Sequence, residues 1–133
     1  MTIVDSILDQ FQWIMLGGGL LTMTMLQAAI APRAAFRMMF GDEPQGPLAL
    51  LLARNWGVLI GLTGAMLVWG AFHPEVRPLV LVVAGTSKLT FIALVLSHPP
   101  YRRKAVVALV VDSVLVALFA LYLLAAKAAP AAI

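Results

Sequence analysis

The sequence has no cysteine and few charged residues, which make up 11% of its 133 positions. The absence of cysteine excludes disulfides, thiolate metal sites, iron–sulfur ligation and CxxC redox chemistry. The shortage of charge excludes an ordinary soluble domain, in which about a quarter of the residues are charged. Hydrophobic residues reach 62% and the mean hydropathy is +1.00. We therefore expect an integral membrane protein whose residues 1–133 form a single domain.

Four hydrophobic runs approach the ~20 residues that a helix needs to cross a bilayer. They cover residues 11–31, 48–72, 79–97 and 105–126, and proline or glycine separates each run from the next. This pattern predicts an all-α membrane protein, folded as an antiparallel bundle of four transmembrane helices. Residues 2–12 carry apolar side chains at helical spacing, with Thr2 and Asp5 as a capping pair, which predicts a short amphipathic segment. An extension of the first helix is the alternative for this segment.

Basic residues are distributed unevenly between the two sides that this threading defines. One side carries five, namely Arg33, Arg37, Arg102, Arg103 and Lys104, and the other carries two, Arg77 and Lys127. Cytoplasmic loops are enriched in Lys and Arg. The bias predicts a multi-pass membrane protein with both termini on the non-cytoplasmic side.

Three charged residues, Arg54, Lys88 and Asp112, each interrupt a different hydrophobic run. A charge in the middle of a membrane helix costs roughly 2.5–3.5 kcal/mol on insertion scales, so each of them needs a partner or a wet cavity. Counting along the helices places all three about 9–14 Å from the cytoplasmic end of their runs. We expect one buried polar layer that also includes the neighbouring polar residues Gln27, Asn55 and Ser113.

Small residues indicate which helix faces carry this layer. Gly57 and Gly61 share a face with Arg54, and Gly85 precedes Lys88 by one turn, so the charges are predicted on the packing faces. Two cations and one carboxylate leave a formal charge of +1, which would favour an anion such as a lipid phosphate, a fatty carboxylate or a partner's acidic residue. In the purely architectural alternative, Asp112 neutralises Lys88 and the Arg54 side chain reaches out to the headgroups.

Three segments carry a resemblance to a known group. Ala53-Arg54-Asn55-Trp56-Gly57, the run Gly61–Gly64 and Gly85-Thr86-Ser87-Lys88, within four short helices, resemble the DoxX-like group of small bacterial membrane proteins. The resemblance implies localisation in a bacterial inner membrane and an accessory role beside quinone-linked oxidoreductases or other membrane enzymes. No catalytic residue is carried over from it. The first hydrophobic run lacks the membrane-embedded glutamate of small multidrug transporters, which disfavours that function.

Two functions follow from these observations. Because no catalytic, metal-binding or cofactor-binding set is recognisable, we expect a protein that is not an enzyme and holds no cofactor other than a bound lipid or quinone. The first hypothesis is an accessory subunit that packs its glycine-rich helix faces against a larger membrane complex or against copies of itself. The alternative is binding or transport of an amphipathic anion, lipid or quinone through the buried layer. The bilayer is an expected partner, and nucleic acid is not.

Overall fold

The computed structural model describes residues 2–128, which are predominantly helical and contain no strand. The helices follow one another with short connections. In chain order they are α1 (Ile3–Asp9), α2 (Phe11–Met23), a 3-10 turn (Thr24–Leu26), α3 (Gln27–Ile30), α4 (Pro32–Phe40), α5 (Gly46–Ala71), a second 3-10 turn (Pro74–Val76), α6 (Arg77–Leu96), α7 (Pro99–Arg102) and α8 (Val106–Ala128).

Four helical segments are long and apolar enough to cross a membrane, as predicted. They are Phe11–Ile30, Gly46–Ala71, Pro74–Leu96 and Val106–Lys127. The first of these, called the first span below, joins α2, the 3-10 turn and α3. The largest difference from the predicted bounds is at the start of the third segment, predicted at residue 79 and found at Pro74. The reason is that Pro74 and Pro78 both occupy first-turn positions, where a missing N–H costs no hydrogen bond.

The N-terminal segment is a helix of its own rather than a straight extension of the first span. The backbone N–H of Asp5 donates to Thr2 Oγ1 at 3.2 Å, and the N–H of Thr2 donates to Asp5 Oδ2 at 3.1 Å. This reciprocal capping box, predicted from the sequence, satisfies two donors at the start of α1. Gln10, with φ −97° and ψ 9°, departs from helical geometry and separates α1 from α2.

The first span and α5 approach each other through glycine. A side chain at Gly64 would lie 2.6 Å from the carbonyl oxygen of Gly19, and one at Gly57 would lie 2.7 Å from the Ala29 nitrogen. Gly61 faces Leu26 between these two contacts. Gly19 therefore lies opposite Gly64 and Ala29 opposite Gly57, so the chain runs in opposite directions in the two helices. We call these contacts the glycine seam.

Gly85, which the sequence grouped with Gly57 and Gly61, lies outside the glycine seam. A side chain at Gly85 would have its nearest contact at 4.0 Å, with the ring of Phe119. That distance is an ordinary van der Waals contact. Gly85 thus faces α8 without the close backbone approach that the other two glycines permit.

Aromatic side chains of helix α4 pack against α5, α6 and α7. Phe36 meets Trp56 of α5 at 5.3 Å between ring centroids, and Phe40 meets Phe91 of α6 at 6.2 Å and Tyr101 of α7 at 6.0 Å. Edge-to-face and tilted pairs at these distances are favourable beyond their buried area. The helix ends at Gly41, whose φ of 75° suits glycine. The end of the molecule that carries α4 and α7 is called the basic end below.

The glycine seam generates a paired prediction. Gly64→Ala places a methyl group against backbone atoms that cannot move aside, so we expect a loss of about 1–3 kcal/mol in the free energy of unfolding. Gly17→Ala is the matched control, because nothing lies within 4 Å of a side chain at that position. The control should be neutral or stabilising by up to about 1 kcal/mol through helix propensity. Denaturant unfolding in detergent, followed by circular dichroism, measures both, and equal stability of the two variants would contradict the seam.

Candidate functional site

Lys88 and Asp112 form an ion pair inside the bundle. Lys88 Nζ lies 2.9 Å from Asp112 Oδ1, and the side chains are 7% and 20% exposed. Lys88 Nζ also donates to Thr22 Oγ1 at 3.1 Å, and the Thr22 hydroxyl in turn donates to the carbonyl oxygen of Gly18 at 2.7 Å. One ammonium group thus joins the first span, α6 and α8. The sequence-based expectation that Lys88 and Asp112 share an interior agrees with this geometry.

Thr22 is the residue of this site that the sequence reasoning did not single out. It continues a buried face of the first span made by Phe11, Met15 and Gly18, at the i, i+4, i+7, i+11 spacing of one helix side. That spacing could have identified Thr22 as a buried residue from the sequence. Because its hydroxyl donates to the carbonyl four residues earlier, the oxygen remains available as an acceptor for Lys88.

A cavity of about 430 Å³ extends from this ion pair to the basic end. Lys88, Asp112 and Thr22 lie in its wall, and Met38 and Met39 of α4 line it at the basic end. Most of the remaining wall is apolar, with Leu21 and Met25 from the first span and Phe91 and Val111 from α6 and α8. A volume of this size fits the range of small-molecule sites, which are mainly apolar with a few convergent polar groups. We call it the Lys88 cavity.

The structure corrects the position of Arg54. Its side chain is exposed, and Nη1 donates to the carbonyl oxygens of Ala29 at 2.6 Å and Ile30 at 3.4 Å. Arg54 does share the face of Gly57 that meets the first span. The first span ends beside it, however, so Arg54 meets terminal carbonyls, which lack intrahelical partners. Ala29 follows Thr22 by seven residues, which is about 10 Å along a helix. Arg54 is therefore not in the same layer as Lys88.

The other predicted members of the layer are also outside it. Gln27, Asn55 and Ser113 are exposed. Ser113 and Asn55 each follow their charged neighbour by one position, which turns the side chain by about 100°, and Gln27 is about 140° around the helix from Thr22. Gln27 still borders the Lys88 cavity, whereas Asn55 and Ser113 do not. Similar depth along the helices was therefore not enough to predict which side chains share the buried layer with Lys88.

The charge of the interior changes with this correction. Without Arg54, the buried pair of Lys88 and Asp112 is formally neutral, so the predicted excess of one positive charge is wrong for the interior. A second cation, the exposed Lys104 just before α8, does line the Lys88 cavity. Any preference for an anion would therefore arise near Lys104 and not beside Lys88.

A second concavity, of about 830 Å³, lies between α5 and α6 at the same end. Its walls carry five aromatic rings, and it shares two of them, Trp56 and Phe91, with the Lys88 cavity. Asp42 and Glu43, in the loop after α4, also line it. We call it the aromatic groove. Its rings are those of Phe36, Phe40, Trp56, Phe91 and Tyr101.

The two carboxylates of the aromatic groove differ in their partners. Glu43 pairs with Arg37 at 2.6 Å. Asp42 accepts hydrogen bonds from the Tyr101 hydroxyl at 3.1 Å and from the backbone N–H of Glu43 at 2.8 Å. The hydrogen bond to Asp42 and the negative charge of that carboxylate raise the pKa of the Tyr101 phenol above its ordinary value of 10.0. Within residues 2–128, no Lys, Arg or His lies within ion-pair distance of Asp42.

Comparison with known proteins adds no further information about this site. No protein-family model, no curated protein and no solved structure matches the chain. The resemblance to the DoxX-like group therefore stays a prediction, and function has to be argued from the geometry alone.

The ion pair predicts a non-additive mutant cycle. Asp112→Leu leaves a buried ammonium and Lys88→Met leaves a buried carboxylate, so each should lower the free energy of unfolding by about 3 kcal/mol. The double variant removes both charges and should return to within about 1 kcal/mol of the parent protein. Lys127→Met, at an exposed lysine, is the control and should change stability by less than about 0.5 kcal/mol. Additive losses in the double variant would show that the two charges do not compensate each other.

The Tyr101–Asp42 contact predicts a change in titration. In a Tyr122→Phe background, Tyr101 is the tyrosine whose phenolate absorbance reports its ionisation. Asp42→Asn removes the negative charge that disfavours the phenolate, so the pKa of Tyr101 should fall. Glu75→Gln, which changes an exposed carboxylate at the opposite end, should leave the pKa unchanged. A Tyr101 pKa that Asp42→Asn leaves unaltered would contradict the contact.

Proposed function

We propose that this chain is an integral membrane protein with four antiparallel transmembrane helices and a cytoplasmic basic end. The four apolar segments support this proposal, because large hydrophobic side chains such as Leu20, Leu62 and Val110 are exposed on their outer surfaces. The five basic residues of the basic end support its cytoplasmic placement through the positive-inside rule. Both termini would then lie outside the cytoplasm, and a bacterial inner membrane fits this arrangement.

Within that setting, we propose that the protein binds an amphipathic molecule in the Lys88 cavity. The observation that carries this proposal is that the ion pair in the cavity wall has unused hydrogen-bonding groups. Two acceptors engage two of the three N–H donors of Lys88, and Asp112 Oδ2 receives no hydrogen bond from residues 2–128. The pair can therefore donate one hydrogen bond and accept another. A neutral headgroup with a hydroxyl, such as a quinol, satisfies both requirements.

The walls of the cavity suit the remainder of such a ligand. Met25, Met38 and Met39 are unbranched and adaptable, and Phe91 adds a flat apolar surface. An apolar tail would pack among these side chains while its polar head reached the ion pair. An anion is the less suitable ligand at this depth, because the carboxylate of Asp112 would repel it. Of the amphipathic anion, lipid and quinone expected from the sequence, the cavity therefore favours a neutral, hydroxyl-bearing amphiphile over the anion.

One of the two observations behind the accessory-subunit hypothesis no longer supports it. It rested partly on glycine-rich helix faces that a partner would cover. Gly57, Gly61 and Gly64 are instead covered by the first span of the same chain. Ligand binding is therefore the better supported function, and association with a larger complex becomes an outcome to be tested beside it.

A matched pair of ligands tests the proposal. The protein is reconstituted in phosphatidylcholine nanodiscs and its occupancy by 4-decylphenol or by the methyl ether of that phenol is measured by native mass spectrometry. The phenol can donate to Asp112 and the ether cannot, so the phenol should bind roughly tenfold more tightly. This preference should disappear in Lys88→Met/Asp112→Leu and should persist in Lys127→Met.

The outcomes separate the hypotheses. Equal occupancy by phenol and ether in the parent protein would overturn the proposed ligand site. Recovery of a second membrane protein at fixed stoichiometry after purification in mild detergent, together with equal occupancy, would favour the accessory subunit instead.

A further inference from the structure

The aromatic groove combines features that suit a positively charged ligand. Five aromatic side chains line it, and the lining residues include no Lys, Arg or His. Its two carboxylates are not equivalent, because Arg37 neutralises Glu43 whereas Asp42 has only neutral hydrogen-bond donors as partners within residues 2–128. A carboxylate without an ion-pair partner in residues 2–128 therefore lies at the edge of an aromatic surface.

The groove also has room for an apolar tail. Leu52 and Leu59 of α5 and Leu94 of α6 line it and are exposed, so it opens sideways on the outer surface of the bundle. Its α5 wall runs from Ala49 to Thr63, a length of about 21 Å at the rise of an α-helix. Asp42 lies at the basic end of this wall, in the loop before α5. A long molecule could thus place its head beside Asp42 and its tail along α5 and α6.

We propose that the aromatic groove binds an amphiphile with an ammonium head, which contacts Asp42 and the aromatic rings while its hydrocarbon tail lies between α5 and α6. Charge complementarity selects this class of ligand, since a cation gains both from the carboxylate and from the ring faces. A phosphatidylethanolamine headgroup and a free long-chain amine share this chemistry. The site is independent of the hydrogen bonds proposed in the Lys88 cavity, although Trp56 and Phe91 form walls of both.

Trp56 provides a direct measurement, because it lines the groove while the other two tryptophans do not. In a Trp13→Phe/Trp69→Phe background, it is the only remaining tryptophan. Because Trp56 also lines the Lys88 cavity, this background additionally carries Lys88→Met/Asp112→Leu, which removes the ion pair that would bind an alcohol there. The full chain in phosphatidylglycerol nanodiscs, whose lipid has no ammonium group, is titrated with a bromine-labelled long-chain amine, and separately with the bromine-labelled alcohol of the same chain. Each molecule quenches Trp56 when it enters the groove. The amine should quench at a membrane concentration on the order of fivefold lower than the alcohol.

Asp42→Asn should abolish this preference, because the amide keeps the shape and the hydrogen-bond acceptor but loses the charge. Asp42→Ala is a second variant that tests the same loss without the amide, and circular dichroism checks the helical content of both. Glu75→Gln, at the opposite end, should keep the preference. Equal quenching by amine and alcohol in the parent, or an unchanged preference in both Asp42 variants, would overturn the proposal.

Labelled lipids identify the source of the ammonium group. If nanodiscs with brominated phosphatidylethanolamine quench Trp56 more than those with brominated phosphatidylglycerol, which has no ammonium group, and Asp42→Asn removes the difference, the ligand is a lipid headgroup. If the two lipids quench alike while the free amine retains its preference, the ligand is a free amphiphile. The phenol and ether occupancies of the Lys88 cavity are expected to be the same in Asp42→Asn as in the parent, so failure of one site is distinguishable from failure of the other.

Discussion

The ammonium group of Lys88 requires a counter-charge wherever its helix packs, because a buried cation without a partner would destabilise the fold. It lies among apolar side chains with 7% of its surface exposed, so its partners must come from neighbouring helices. Asp112 supplies the charge from α8 and Thr22 supplies a hydroxyl from the first span. This requirement limits how those three helices can rotate and slide. Because these residues also line the Lys88 cavity, their polar atoms can form hydrogen bonds with a bound molecule.

Close backbone contact along an adjacent face of the first span helps to position Thr22. The glycine seam brings the first span onto α5, and each end of the molecule then carries an arginine that covers helix-terminal carbonyls. Arg54 covers those of Ala29 and Ile30, and Arg77 donates to those of Gly70 at 2.8 Å and Ala71 at 2.7 Å. Terminal carbonyls and the negative end of the helix dipole both favour a cation there. Arg54 thus caps the end of the first span, an architectural contact that the sequence-based alternatives did not include.

Helix α4 organises the basic end. Its rings rest on Trp56, Phe91 and Tyr101, its methionines line the Lys88 cavity, and Phe36 and Phe40 line the aromatic groove. A single short helix therefore forms part of the boundary of both concavities. The two differ in chemistry, because one ends at a neutral ion pair and the other at a carboxylate that has no ion-pair partner in residues 2–128. We accordingly propose two ligands of different charge for one end of one small bundle.

Hydrophobic run lengths and the positions of proline were sufficient to predict four long apolar helices. Apolar spacing and the Thr2–Asp5 pair indicated an N-terminal helical segment with a cap, but the sequence left open whether that segment extends the first helix. These are local properties, which neighbouring residues along the chain decide. The pairing of Lys88 with Asp112 was also predictable, because both charges need a partner and only one carboxylate was available inside the runs. Whether Arg54 joined them depended on where the first span ends against α5, and that register is set by glycine contacts between distant segments. Only the tertiary structure decided that Thr22 lies beside Lys88, that α4 packs against α5, α6 and α7, and that two concavities form. Each of these features depends on how several helices pack together and not on the sequence of any single helix.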